Sequence, residues 1–124
     1  LERWRDVPVD PDALGQEARA SLPSVVQAVV SAPSGTPRAD LDRRLLLARR
    51  RAEIAARAAG VEGFAVVSAS SRTVVYKGLV AGPAVGAFYP DLTADLAVSH
   101  VVFHQRYATN THPTWPLAQP LIPR

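Results

Sequence analysis

The residues best equipped for chemistry fall in the last quarter of the chain, from His104-Gln105-Arg106-Tyr107-Ala108-Thr109-Asn110-Thr111-His112 to Pro113-Thr114-Trp115-Pro116. An apolar run, residues 98–103, reads as a strand that empties into this polar, proline-stiffened segment with Arg106 at its mouth. A guanidinium is a permanently charged planar fork that can give a carboxylate two parallel hydrogen bonds. Arg106 therefore suits capture of an anionic group; a structural arginine paired with a nearby acid is the alternative. Thr109 and Asn110 are placed either to hydrogen-bond a ligand or to hold the Arg106 loop in shape. His104 reads as an orienting or packing group more than a general base, and Trp115 as the packing anchor of a turn.

Other chemistries find little support. His100, His104 and His112 have neither cysteine nor carboxylate beside them, so no metal site is expected. Ser70-Ser71 lacks a Gly-x-Ser-x-Gly elbow. The stretch Gly78-Leu79-Val80-Ala81-Gly82 lacks the Lys-Ser/Thr ending of a phosphate loop. The 124 residues contain no cysteine, which excludes disulfides, thiolate metal sites, iron–sulfur ligation and a thiol nucleophile within them.

These groups must be positioned by one domain or part of one, since the chain is short and 48% apolar. No window reaches the roughly 18 to 20 apolar residues needed to span a bilayer, and residues 1–5 are followed by no apolar core, so no signal peptide is expected within this sequence. The start at Leu1 leads to the expectation of an internal portion of a longer polypeptide. Net charge is +3, and Lys77 is the single lysine among 14 basic residues.

Residues 4–11 read as extended, because each proline disfavours a helical predecessor. Residues 12–20 form a turn or one helical turn. Residues 24–31 are β-branched and predict a strand covered on both faces; residues 32–38 are loop. A helix is expected over residues 40–59, with Asp40 as N-cap and Gly60 as its stop. Leu41, Leu45, Ala48, Ala52, Ala55 and Ala59 supply its apolar stripe. Arg43, Arg44, Arg50, Arg51 and Arg57 lie off that stripe; without interleaved aromatic residues they predict a solvated face and no nucleic-acid partner. Residues 64–69 and 73–76 predict an antiparallel hairpin around Ser70-Ser71-Arg72. A short helix opens at Gly82-Pro83 and runs to about Phe88; Tyr89-Pro90-Asp91-Leu92 turns, and residues 96–103 form a last buried strand.

Four blocks in order share a resemblance. They are Trp4-Arg5-Asp6-Val7-Pro8-Val9-Asp10, Ser68-Ala69-Ser70-Ser71-Arg72-Thr73 through Tyr76-Lys77-Gly78, Phe88-Tyr89-Pro90-Asp91-Leu92, and the segment 104–120. Together they resemble the class II glutamine amidotransferase domain of glutamate synthase large subunits. His104, Arg106, Tyr107, Ala108 and Thr109 match the motif of the wider class, while Asn110-Thr111 and Trp115-Pro116 are similar to glutamate synthase in particular.

The resemblance implies an α+β fold, part of an αββα sandwich of mainly antiparallel strands, with residues 1–124 an internal portion of that domain. It implies glutamine as ligand, with Arg106 on its α-carboxylate, Thr109 and Asn110 beside it, and His104, Tyr107 and Trp115 as motif support. In the family, glutamine is cut to glutamate and ammonia by an N-terminal cysteine whose own amine is the base. Ammonia then passes to a flavin-bearing domain that makes glutamate from 2-oxoglutarate, so FMN and the iron–sulfur cluster are expected outside this chain. A cytoplasmic protein without nucleic-acid or membrane partners is implied.

The sequence departs from the family where chemistry is concerned. It holds no cysteine, and its one asparagine, Asn110, precedes threonine, so the family's oxyanion-binding Asn-Gly pair is not in it. No catalytic residue is expected here, and the isolated chain is expected to be inactive and marginally stable. A non-catalytic remnant that binds glutamine or pairs with a complementary chain is the other reading.

Overall fold

Proline sets where the first strand stops. β1 (Arg3–Asp6) pairs antiparallel with β2 (Val26–Val29), Arg3 opposite Val29 and Asp6 opposite Val26. The Glu2 N–H prolongs the ladder to the Val29 carbonyl at 2.8 Å, and the Val7 N–H to the Val25 carbonyl at 2.9 Å. Pro8 has no N–H to give and the pairing ends. The computed structural model describes residues 1–105 and 112–118. Its contacts divide the chain into two units, one formed by Leu1–Val30 with Lys77–Arg124, the other by Ser31–Tyr76. A small antiparallel sheet with helices makes the architecture α+β.

In the first unit, Asp10 opens a 3₁₀ turn over Pro11–Ala13 by accepting the Asp12 N–H on its carboxylate at 2.9 Å. The helix α1 (Gln16–Ala20) follows, and Arg19 reaches back to the Pro11 carbonyl at 3.0 Å and to the Asp12 carboxylate. A second 3₁₀ turn, Gly82–Ala84, has Pro83 where a missing N–H costs nothing, and it runs into a short helix, Val85–Phe88. The Asp10 N–H donates to the Phe88 carbonyl at 3.0 Å and joins the chain's start to that helix. The buried core of this unit is Val7, Leu14, Phe88, Tyr89, Trp115 and Ala118.

The second unit is dominated by α2 (Arg38–Ala58). Gly60, at φ 70°, ends it as expected: the Val61 N–H returns to the Ala56 carbonyl and the Gly60 N–H to that of Arg57, the paired closing bonds of a left-handed cap. Its start differs from the expectation. Pro37 stands at the N-cap without a side-chain cap bond, and Asp40 sits in the first helical turn, where a carboxylate complements the helix dipole.

The stripe also departs from the expected one. Leu41 and Leu45 are half-buried, but Ala48, Ala52, Ala55 and Ala59 are exposed, and Arg49, Glu53 and Ala56 take the covered positions. Arg49 Nε donates to Glu53 Oε1 at 3.0 Å, so one turn of the covered face is an ion pair on aliphatic stems.

Three strand expectations are corrected. Residues 24–31 yield only β2, which among the described residues pairs with β1 alone, and Val26 and Val30 remain exposed on the faces of that small sheet. Residues 64–76 form no ladder. Ser70 Oγ instead accepts the Arg72 and Thr73 N–H groups, and the Ser68 hydroxyl donates to the Thr73 carbonyl at 3.1 Å. Such side-chain bonds compete directly with strand pairing. Residues 96–103 carry no strand and are exposed, Val102 at 88% and Phe103 at 86%, since β-branched sequence supplies propensity while a strand requires a partner.

Asp42 on α2 accepts the Ser71 hydroxyl at 2.7 Å and the Ser71 N–H at 3.1 Å. Those bonds, hydroxyl first, hold its carboxyl below the ordinary 3.8. The hydroxyls of Ser70 and Ser71 are thereby used in building a turn.

Candidate functional site

Arg106, Tyr107, Thr109 and Asn110 lie outside the described residues. The structure shows what stands on either side of them, and all of it belongs to the first unit. On the near side, His104 is exposed and lines a pocket of about 270 Å³ with Gly82, Val85, Phe103 and Gln105. The Gln105 amide lies so close to Gly82 that a Cβ there would overlap it. The Gly82 backbone thus leaves room for the residue that precedes Arg106.

On the far side, Trp115 heads a 3₁₀ turn, Trp115–Leu117, and is buried. Its indole N–H donates to the Ala18 carbonyl at 3.1 Å, and its ring lies 5.8 Å from that of Phe88, tilted by 40°. Phe88 meets Tyr89 edge-on at 4.4 Å between centroids. Gly78 lets the ring in: a Cβ on it would stand 3.2 Å from Trp115 and 3.4 Å from Phe88. A buried indole that finds an acceptor while packing on aromatics retains both its apolar area and its hydrogen bond.

Lys77 closes this side. Its Nζ donates to the Ala118 carbonyl at 3.0 Å, and its own carbonyl accepts the Tyr89 hydroxyl at 2.8 Å. Burial pushes its ammonium below the ordinary 10.5. Arg5 pairs with Asp91 in a part-buried ion pair that ties the β1 strand to the turn after Phe88.

Sequence reasoning gave no role to Lys77, Tyr89, Arg5 or Asp91, although each stands inside one of the four blocks. The signal was their presence in those blocks: the first meets the third through Arg5 and Asp91, and the second meets the third and fourth through Lys77 and Gly78. Among the described residues no group of three or more His, Cys, Asp or Glu could hold a metal ion. No described helix is long and apolar enough to cross a membrane.

Chemically, the described residues anchor the chain at Trp115 and Ala118, beyond the segment that holds Arg106. They offer no thiol for acyl transfer, because the 124 residues contain none.

The chain matches the family described as glutamine amidotransferases class-II over residues 1–122. It is 39% identical over 118 residues to the glutamate synthase [NADPH] large chain of Azospirillum brasilense, covering 94% of this chain and 8% of that one. It is 45% identical over 119 residues to ferredoxin-dependent glutamate synthase 2 of Synechocystis sp., covering 95% and 7%. Against the chloroplastic/mitochondrial ferredoxin-dependent glutamate synthase 1 of Arabidopsis thaliana the identity is 39% over 121 residues, again covering 95% and 7%. The chain thus spans less than a tenth of the length of these curated relatives.

Proposed function

Because this chain belongs to the class II glutamine amidotransferase family, we propose that its residues supply the carboxylate-recognition part of a glutamate synthase glutaminase domain. The observation that carries this reading is the match across residues 1–122, which takes in all of the segment around Arg106. The Arg106 guanidinium grips the α-carboxylate of glutamine with two charge-assisted hydrogen bonds. Thr109 and Asn110 bond the substrate or brace the loop, and His104, Tyr107 and Trp115 support the motif.

Holding the α-carboxylate fixes where the far end of the ligand lies, and so where the side-chain amide meets a nucleophile. The thiol of that step comes from outside these residues. Its sulfur attacks the amide carbon, the α-amine beside it takes the proton, Asn-Gly donors hold the oxyanion, ammonia leaves, and water releases glutamate. FMN and an iron–sulfur cluster belong to other domains, where the ammonia is used to make glutamate from 2-oxoglutarate in a cytoplasmic enzyme of nitrogen assimilation. The fold proposed for the whole domain is the four-layer αββα sandwich.

A second reading is favoured by the exposure of Val101, Val102 and Phe103. In it the chain is a non-catalytic remnant that binds glutamine alone or pairs with a complementary chain. Calorimetric titration with glutamine separates the leading reading from a remnant that binds glutamine alone. The leading reading expects no saturable heat from the isolated chain and measurable binding once a protein bearing the rest of the domain is added. Saturation by the chain alone would favour the remnant.

A further inference from the structure

Resting on the reading of Arg106 as the carboxylate residue, we propose that Lys77 is a positioning residue for glutamine capture: its ammonium holds the Trp115–Ala118 turn, which follows the Arg106 segment in the chain. Among the described residues, three contacts hold that turn. The Trp115 indole is bonded to Ala18, the Trp115 ring is seated against Gly78 and Phe88, and the Ala118 carbonyl accepts Lys77 Nζ. Only the last is a charge-assisted bond from a side chain of the Tyr76-Lys77-Gly78 block.

Lys77 is itself held, through its carbonyl, by the hydroxyl of Tyr89, which is 2% exposed. Tyr89 directly follows the short helix ending at Phe88, and Gly82 and Val85, at the other end of this stretch, line the pocket with His104 and Gln105. Residues 82–89 therefore contact the chain on both sides of Arg106, and Lys77 fastens one of those sides. A long cationic side chain spent on a backbone carbonyl sacrifices hydration. That cost is offset where a loop must be held to a fraction of an ångström, as substrate positioning demands.

The test uses a complete glutamate synthase large chain carrying this segment. Lys77→Met keeps most of the aliphatic stem and removes the donor. It should raise KM for glutamine about tenfold with kcat changed less than about twofold, because grip on a carboxylate remote from the reacting amide is shared by ground and transition states. Lys77→Arg, which can reach the same carbonyl, should restore KM to within about threefold.

If Lys77→Met does not fold, Tyr89→Phe removes one hydroxyl and should shift KM in the same direction. A lowered melting temperature with KM unchanged in either variant would make Lys77 merely structural and overturn the proposal. Arg106→Ala in parallel separates the two ideas: if it raises KM and Lys77→Met does not, only the Lys77 proposal falls. If Arg106→Ala leaves KM unchanged, the carboxylate reading falls and takes the Lys77 proposal with it.

Discussion

Arg106→Ala, made in a complete glutamate synthase large chain carrying this segment, is expected to lower kcat/KM for glutamine by about 10²- to 10³-fold. On the proposed reading the substrate carboxylate would be left without its partner, and loss of one member of such a charge pair costs about 3–4 kcal/mol. Arg106→Lys should recover only part of the loss, since an ammonium is a point charge and cannot form the parallel fork. Steady-state glutaminase kinetics of the three proteins check this. Equal kcat/KM in wild type and Arg106→Ala would remove Arg106 from glutamine recognition and favour the alternative, a structural arginine.

The second large effect concerns the scaffold. Phe88 is fully buried, touches the rings of Tyr89 and Trp115, and ends the helix that receives the Asp10 N–H. Phe88→Ala should cost about 3–5 kcal/mol through lost contacts and the cavity left behind. The whole stability of an ordinary domain is only about 5–15 kcal/mol. Ile54→Ala on α2, an exposed position, should change stability by about 0.5 kcal/mol or less. Trp115 is buried and Trp4 exposed, so the blue-shifted part of the emission reports the first unit during a urea titration. A Phe88→Ala protein with the wild-type midpoint and emission would contradict the packing described.

How much of this was legible in the sequence depended on whether each signal was local. The end of α2 was readable because Gly60 adopts a left-handed conformation that few other residues accept, and its cap is built from residues 56–61 alone. The proline-led start at Pro83 was readable for the same reason, whereas Pro11, read as the end of an extended stretch, opens a 3₁₀ turn. The stripe of α2 was misread beyond Leu45, because alanine presents little area to bury. The Arg49–Glu53 pair could cover that face with its stems while keeping its charges matched.

Residues 96–103 illustrate the opposite case. Their run of valine, leucine and phenylalanine specifies a preference for extended chain, yet burial depends on a partner far away in sequence, and the described residues pair none with it. Chemistry followed the same division. The guanidinium of Arg106 suggested an anion handle and the resemblance tied it to glutamine, but Arg106 lies outside the described residues. Lys77 and Tyr89 could not be read that way: their roles lie in backbone carbonyls, at Ala118 and Lys77, that no residue type advertises.

The central proposal is that these residues serve glutamine recognition within a larger domain and carry no group able to cut glutamine. Ammonia release from glutamine by the purified 124-residue chain, measured beside its Arg106→Ala variant and a protein-free blank, tests that most directly. With no cysteine in the polypeptide, all three should give the same rate. Ammonia released by the wild-type chain above both others would show a nucleophile at work beside Arg106 and contradict the account.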